Sequence, residues 1–316
     1  MNTASGKHFD DGGNGAGRLD SASDSRLQMP ADQKVALMVL TDLDASAMLI
    51  DHLATQRWEI EYVPDNESAL SLIHEGPFDL IITAETTSAK ADIALLRKIR
   101  RIRAHSRMII LTSDSTPADV VSALREHAFS FFSTPYSLDA LTQVIQIAME
   151  GPCWDDGIEV LSATPAWVRL VARCDLNTAE RVMQFFHEMI DLPEDEKNEV
   201  ALAFREMLLN AIRHGGQFDP SQYVEISYVR ARHMVECRVK DPGQGFSLTE
   251  LYHAAVSNPD DDPTRHLHYR EASGLPAGGY GILLSQHLVD ELIYNEKGNE
   301  VLLVKYIPER GPAKAA

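Results

Sequence analysis

Glu206 and Asn210 are four residues apart in the run Ala201-Leu-Ala-Phe-Arg-Glu206-Met-Leu-Leu-Asn210-Ala-Ile-Arg-His214-Gly215-Gly216. Read as a helix, this spacing puts both side chains on one face, one turn apart. Leu202, Met207, Leu208, Ala211 and Ile212 are expected to supply the apolar packing. An amide oxygen can bind a hard cation, and a carboxylate can polarise a water or a hydroxyl. The pair therefore suits a site that holds a metal-bound anion. Taken alone, the segment is read more simply as an amphipathic helix with two polar residues at its edge.

Two glycine-bearing segments follow it. Val239-Lys-Asp241-Pro-Gly243-Gln-Gly245-Phe246 leaves a strand-like run that begins at His233. Gly243 and Gly245 let the backbone turn and approach a ligand closely. Asp241, at the strand end, could accept a hydrogen bond from an exocyclic amine. Next, Gly278-Gly279-Tyr280-Gly281 opens an amphipathic helix, where backbone N–H groups can meet phosphate. Each glycine segment by itself is better explained as a turn. The three in this order and spacing are a strong signal.

Together they resemble the N box and the two glycine boxes of the histidine-kinase-like (GHKL) ATP-binding fold. DNA gyrase, a heat-shock chaperone class, histidine kinases and mismatch-repair ATPases share it. The segments look most like those of the bacterial anti-sigma-factor serine/threonine kinases of partner-switching regulation, over residues 158–308. The resemblance implies Mg²⁺ and ATP as cofactors, with Asn210 binding the Mg²⁺ and Glu206 as general base. It implies that Asp241 reads the adenine amino group and that Gly243 and Gly245 shape the nucleotide pocket. Gly279 and Gly281 would meet the phosphates. Pro242 occupies a variable position of the motif. The region between Phe246 and Gly278 corresponds to the ATP lid and is expected to be a long loop, in which Arg265 or Arg270 could reach the γ-phosphate.

The elements that must position these residues can be read along the chain. Residues 1–32 are rich in Gly, Ser, Asp and Asn and are expected to be a disordered tail. Residues 33–150 alternate five strand-like and five helix-like segments, from Lys34–Leu40 to Leu138–Met149, which indicates a doubly wound, flavodoxin-like parallel sheet. A linker is expected at 151–157, where Gly151-Pro-Cys-Trp-Asp-Asp-Gly157 lies. Residues 158–308 should then form a two-layer α/β sandwich, with one long helix over Pro193–Arg213. Residues 309–316 read as a tail.

The N-terminal pattern resembles a response-regulator receiver domain, through Phe78-Asp-Leu-Ile-Ile, Ile109-Ile-Leu-Thr112 and Phe132-Ser-Thr-Pro135-Tyr136. The departures carry the meaning. The position matching the phosphoacceptor is Ala84, which has no oxygen to phosphorylate. Thr134 stands where the family has its lysine, and the acidic pair is reduced to Thr41-Asp42. If the third strand continued through Glu85, that side chain would point to the other side. A pseudo-receiver used for docking or dimerisation, so that a homodimer is open to the chain, is the reading.

Composition narrows the function. The 316 residues carry a net charge of −18, which disfavours direct nucleic-acid binding. The basic run Arg97–Arg103 reads as a solvated helix face. Cys153, Cys174 and Cys237 have no metal-ligand spacing and are expected to be reduced thiols. No apolar run is long enough for a membrane span, so a cytoplasmic protein without membrane attachment is expected. His187-Glu188 lies too near Glu206 to leave room for a histidine-kinase dimerisation hairpin. The implied reaction is phosphorylation of Ser or Thr on an antagonist (anti-anti-sigma) protein in a pathway controlling a sigma factor. The alternative is a non-catalytic, ATP-gated binding module for a sigma factor or other regulator. Retention of Glu206 favours catalysis, because a pure switch needs no base.

Overall fold

The computed structural model describes residues 34–40, 47–55, 58–150, 157–247 and 251–308. The expected tails, Thr41-Asp42, Cys153 and most of the expected linker lie outside the described residues.

The N-terminal half holds β1 (Val35–Val39), α1 (Ala47–Thr55), β2 (Glu59–Val63), α2 (Asn66–Glu75), β3 (Leu80–Thr83), α3 (Ala89–Ile102), β4 (Met108–Thr112), α4 (Pro117–Arg125), β5 (Ser130–Ser133) and α5 (Leu138–Glu150). The five strands are parallel in the order β2-β1-β3-β4-β5. This is the flavodoxin-like doubly wound order. Its central strands are continuous apolar runs because both faces are covered. Side-chain caps set the helix starts. Asp65 accepts from the backbone of Glu67 and Ser68, and Thr116 and Asp119 form a reciprocal capping box before Pro117. Ser88 caps α3, accepting from the Ala91 N–H. On that helix Arg97, Lys98 and Arg101 are exposed, while Ile93, Leu96 and Ile99 are buried.

The C-terminal half holds β6 (Ile158–Thr164), β7 (Trp167–Arg173), α6 (Leu176–Met189), α7 (Glu194–Asn210), β8 (Tyr223–Arg230), β9 (Met234–Lys240), α8 (Arg265–Ala272), α9 (Gly281–Leu288), β10 (Glu291–Tyr294) and β11 (Glu300–Tyr306). Its six strands run antiparallel in the order β10-β11-β9-β8-β7-β6. The strands alternate. Leu170, Ile226, Cys237 and Leu303 are buried, while Arg238 and Glu300 pair at 2.5 Å and Lys240 and Glu225 at 3.4 Å on the other face. Phe186 of α6 stacks on Phe204 of α7, with ring centroids 3.7 Å apart. One apolar core runs without a break from Leu37 and Ile110 through Phe185 to Leu303.

Two expectations are corrected. The long helix is α-helical only to Asn210 and continues as a π-turn, Ala211–Gly215, in which Gly216 N–H donates to Ala211 O at 2.9 Å. Leu202 is not core: it is 40% exposed, whereas Met207, Leu208, Ala211 and Ile212 are buried. The third strand stops at Thr83, so alternation does not govern Glu85, which takes a hydrogen bond from Tyr136.

Candidate functional site

Helix α7 starts on Glu194, Asp195 and Glu196, whose charges suit a helix N-terminus. Val200, Ala203, Phe204, Met207 and Leu208 fix its buried face. Glu206 and Asn210 therefore come out half-buried on an adjoining stripe. Opposite them is the start of α9. A Cβ on Gly281 would lie 2.6 Å from Glu206 Oε2 and 3.6 Å from Asn210 Nδ2. Three of the residues singled out in the sequence thus converge. Ser285 Oγ donates to Gly281 O within α9 at 2.9 Å and reaches Ala203 O of α7 at 3.5 Å.

The π-turn brings in a residue that sequence reasoning missed. A Cβ on Gly215 would lie 2.2 Å from Asp241 Oδ1, so the absence of a side chain there leaves the space Asp241 occupies. Gly215 reads as an ordinary helix stop, and no local signal separates the two roles. The Asp241 carboxylate accepts from Gly243 N–H at 2.7 Å, and Lys297 Nζ donates to Gly243 O at 3.0 Å. Burial raises the Asp241 pKa, and the Gly243 N–H and Lys297 partly offset this. The Asp241 main chain is held on both sides, by its own N–H to Asn299 O at 2.9 Å and by Asn299 Nδ2 to its carbonyl at 3.2 Å.

Gly245 makes its close approach to the hairpin turn. Its φ is +80°, and a Cβ there would lie 1.9 Å from Lys297 O. The turn and the Gly245 segment line a cavity of about 480 Å³ with Gln244, Phe246, Tyr294, Asn295 and Lys297.

The region expected to be one long loop holds the helix α8. Ala255 N–H donates to Gly279 O at 2.8 Å, and a Cβ on Gly279, whose φ is +93°, would lie 2.5 Å from His253 O. The lid is therefore seated on the second glycine segment. Arg270 donates through Nε to Pro276 O at 2.7 Å and through Nη1 to His253 O at 3.1 Å. Arg265 is exposed.

The residues fit the implied groups. A Cβ on Gly281 would fill the space facing the Asn210 amide and the Glu206 carboxylate, and a Cβ on Gly215 or Gly243 would fill the space beside the Asp241 carboxylate. Among the described residues no cluster of three or more His, Cys, Asp or Glu could hold a metal ion. A Mg²⁺ here would take one ligand from Asn210 and most of the rest from phosphate and water, which is its usual habit.

At the C-terminal end of β3 in the other half, Ala84 is buried and its carbonyl accepts from Thr87 Oγ1 at 2.7 Å. Thr134 precedes Pro135 through a cis peptide. Thr112 is fully buried and donates to Asp114 O at 3.1 Å. Cys174 and Cys237 are free and buried, and burial, with Asp175, Asp219 and Asp241 nearby, pushes the Cys174 thiol up to about 11. No described helix is long and apolar enough to cross a membrane.

Residues 172–305 match the histidine kinase-like ATPase domain family. The serine-protein kinase RsbW of Oceanobacillus iheyensis is 28% identical over 156 residues, which are 49% of this chain and 89% of the relative. The anti-sigma F factor of Anoxybacillus flavithermus is 28% identical over 130 residues, 41% of this chain and 81% of the relative. A CheY-like receiver domain from Methanospirillum hungatei superposes with a TM-score of 0.35 at 19% identity, covering 37% of this chain and 94% of that one. The C-terminal half of this chain is thus similar to histidine kinase-like ATPase domains, among them an anti-sigma factor and a serine-protein kinase, and the N-terminal half is a flavodoxin-like α/β domain.

Proposed function

We propose that the protein binds Mg-ATP between α7, the Asp241–Gly245 segment and α9, and phosphorylates Ser or Thr on an antagonist protein that controls a sigma factor. The observation that supports this most is the convergence of Glu206, Asn210 and Gly281. It sets a carboxylate and a metal-binding amide against a helix N-terminus whose backbone suits phosphate. In this reading Asn210 holds Mg²⁺, which neutralises charge on the phosphates. Gly279 and Gly281 let the backbone approach them. Gly243 and Gly245 shape the nucleotide pocket, and Asp241 accepts from the adenine amino group. Glu206 takes the proton of the incoming hydroxyl as its oxygen bonds to the terminal phosphorus. The bond from that phosphorus to the bridging oxygen breaks, and ADP leaves. Most of the rate comes from positioning and charge neutralisation. The net charge of −18 supports protein rather than nucleic-acid partners, in a reducing cytoplasm.

The test is phosphotransfer from labelled ATP to a candidate antagonist. Glu206→Ala should keep ATP affinity and lose phosphotransfer by about 10²-fold or more. Asn210→Ala should remove most of the Mg²⁺ dependence of binding. A wild-type protein that binds Mg-ATP and its partner yet leaves no phosphoserine or phosphothreonine is a nucleotide-gated binder and not a kinase.

A further inference from the structure

His266 lies on the lid helix α8 and is fully buried. Its surroundings fix which ring nitrogen carries the proton. The His266 backbone N–H donates to Asn258 Oδ1 at 2.9 Å, and Asn258 Nδ2 donates to Pro263 O at 2.6 Å. A backbone N–H needs an oxygen and a carbonyl needs a donor, so the Asn258 amide can sit only one way round. Its Nδ2 is also 2.7 Å from His266 Nδ1. Its second N–H therefore points at Nδ1, which accepts, and the ring proton is left on Nε2.

That Nε2 is buried and has no hydrogen-bond partner. A buried donor without an acceptor is costly and calls for a reason. The ring edge that carries it faces the second glycine segment: Cδ2, bonded to Nε2, lies 3.3 Å from where a Cβ on Gly279 would stand. The ring also meets Tyr280 edge to face, with centroids 4.6 Å apart. Just beyond, α9 begins with no side-chain cap on its first N–H groups. Arg270 of the lid helix α8 spends Nε and Nη1 on the carbonyls of Pro276 and His253, and its Nη2 lies 3.8 Å from where a Cβ on Gly278 would stand. Burial and Arg270 hold the His266 pKa below its ordinary value, so the ring is neutral at neutral pH and keeps this tautomer.

We propose that His266 is a phosphate-binding residue, whose Nε2–H donates to a phosphate oxygen of a nucleotide held at Gly278–Gly281. The proposal rests on the ATP-binding reading above and adds a lid-mounted ligand to it. The bond gives the lid a direct contact with the phosphates, so the lid senses the phosphates and not the base.

The full chain is titrated with Mg-ATP by calorimetry, and with adenosine, as the phosphate-free probe, by displacement at millimolar concentration. His266→Phe keeps the ring's bulk and removes the donor; it should weaken Mg-ATP binding by about 10-fold or more, as for a hydrogen bond to a charged group, and leave adenosine within about twofold. His266→Gln, whose amide N–H can reach the Nε2 position, should recover most of the loss. Equal Mg-ATP affinity for His266→Phe and wild type overturns the proposal, as does a parallel loss of adenosine and Mg-ATP. Long-range ¹⁵N–¹H spectra of the unliganded wild type give a reading independent of any variant's folding: the Nε2–H tautomer is expected, and the Nδ1–H tautomer overturns the proposal. If wild type binds neither probe, the ATP-binding reading falls with it. If wild type binds both and His266→Phe is unchanged, only the role of His266 falls.

Discussion

Arg181 Nε donates to the Phe129 carbonyl at 2.9 Å, and the same guanidinium lies 4.1 Å over the Phe129 ring. Arg181 belongs to α6 of the ATPase half, and Phe129 leads into β5, the edge strand of the parallel sheet. Gln184 Nε2 donates to Phe131 O at 2.9 Å, and Ser133 Oγ donates to the Glu188 carboxylate. Positions 181, 184 and 188 share one helix face, while 129, 131 and 133 alternate along the strand. A helix side-chain row thus takes up two main-chain carbonyls and one side chain at this edge of the sheet.

Removing the first of these contacts has a defined cost. Arg181→Ala leaves the buried Phe129 carbonyl without this donor and should destabilise the chain by about 1.5–3 kcal/mol, the usual range for a hydrogen bond to a charged group. Urea unfolding at neutral pH measures it. An unchanged midpoint would mean that water replaces the guanidinium at no cost.

Gly281→Ala should separate folding from function. Alanine favours the helix by up to about 1 kcal/mol over glycine, and the atom it meets is the flexible end of Glu206. The melting temperature should hold or rise. The displaced carboxylate should lower phosphotransfer by about 10²-fold, as expected for a base moved by an ångström. A variant with full phosphotransfer would show that Glu206 need not occupy its observed position.

Asp241→Asn should also act in opposite directions. Burial raises the Asp241 pKa in the folded chain, so this group favours folding more at acid pH and loses that contribution as pH rises through the raised value. At neutral pH the buried charge is a burden, and its removal should leave stability level or higher. Adenine recognition should weaken by about 1–3 kcal/mol, the cost of a mismatched buried polar pair. In the wild type, nucleotide affinity should begin to fall on acidification at a higher pH than an ordinary aspartate would give. Calorimetry across pH on both proteins checks all of this, and a pH profile that Asp241→Asn leaves unaltered would assign the titration elsewhere.

Acetyl phosphate with Mg²⁺ should add no mass to the parallel-sheet half. Ala84 offers no oxygen, and Thr134 supplies no cation for an acyl phosphate. Intact-mass measurement followed by peptide mapping is the check, and a stoichiometric gain mapping within residues 33–150 would overturn the pseudo-receiver reading.

Much of the fold was legible because apolar runs and turn residues agree locally. Glu59–Val63, Met108–Thr112 and Glu300–Tyr306 are strands, each with turn-forming or polar residues close to its ends. The stripe carrying Glu206 and Asn210 was legible for the same reason, since Met207, Leu208 and Ile212 mark the buried side. Helix α8 was not, because Arg265-His-Leu-His-Tyr-Arg-Glu has almost no apolar period. Tertiary partners hold it: Asn258 binds its His266, and Arg270 binds lid carbonyls on either side. The π-turn was hidden because Ala211–Gly215 carries no local signal for it, and the side chain that fits against Gly215, Asp241, is distant in sequence. Leu202 misled because hydrophobicity does not tell a core face from the rim of a groove. It lines a groove between α5, α6 and α7 with Val144, Met183 and Arg205.

The row of side chains on α6 has a consequence for dissecting the protein. An uncovered edge strand is a template for other chains, and natural sheets guard it with charge, bulges or cover. Here the guard is supplied by the other half of the molecule. Expressed by itself, the parallel-sheet half would display the bare carbonyls of Phe129 and Phe131 beside apolar side chains and should self-associate. The parallel-sheet half thus borrows its solubility from the half that supplies α6.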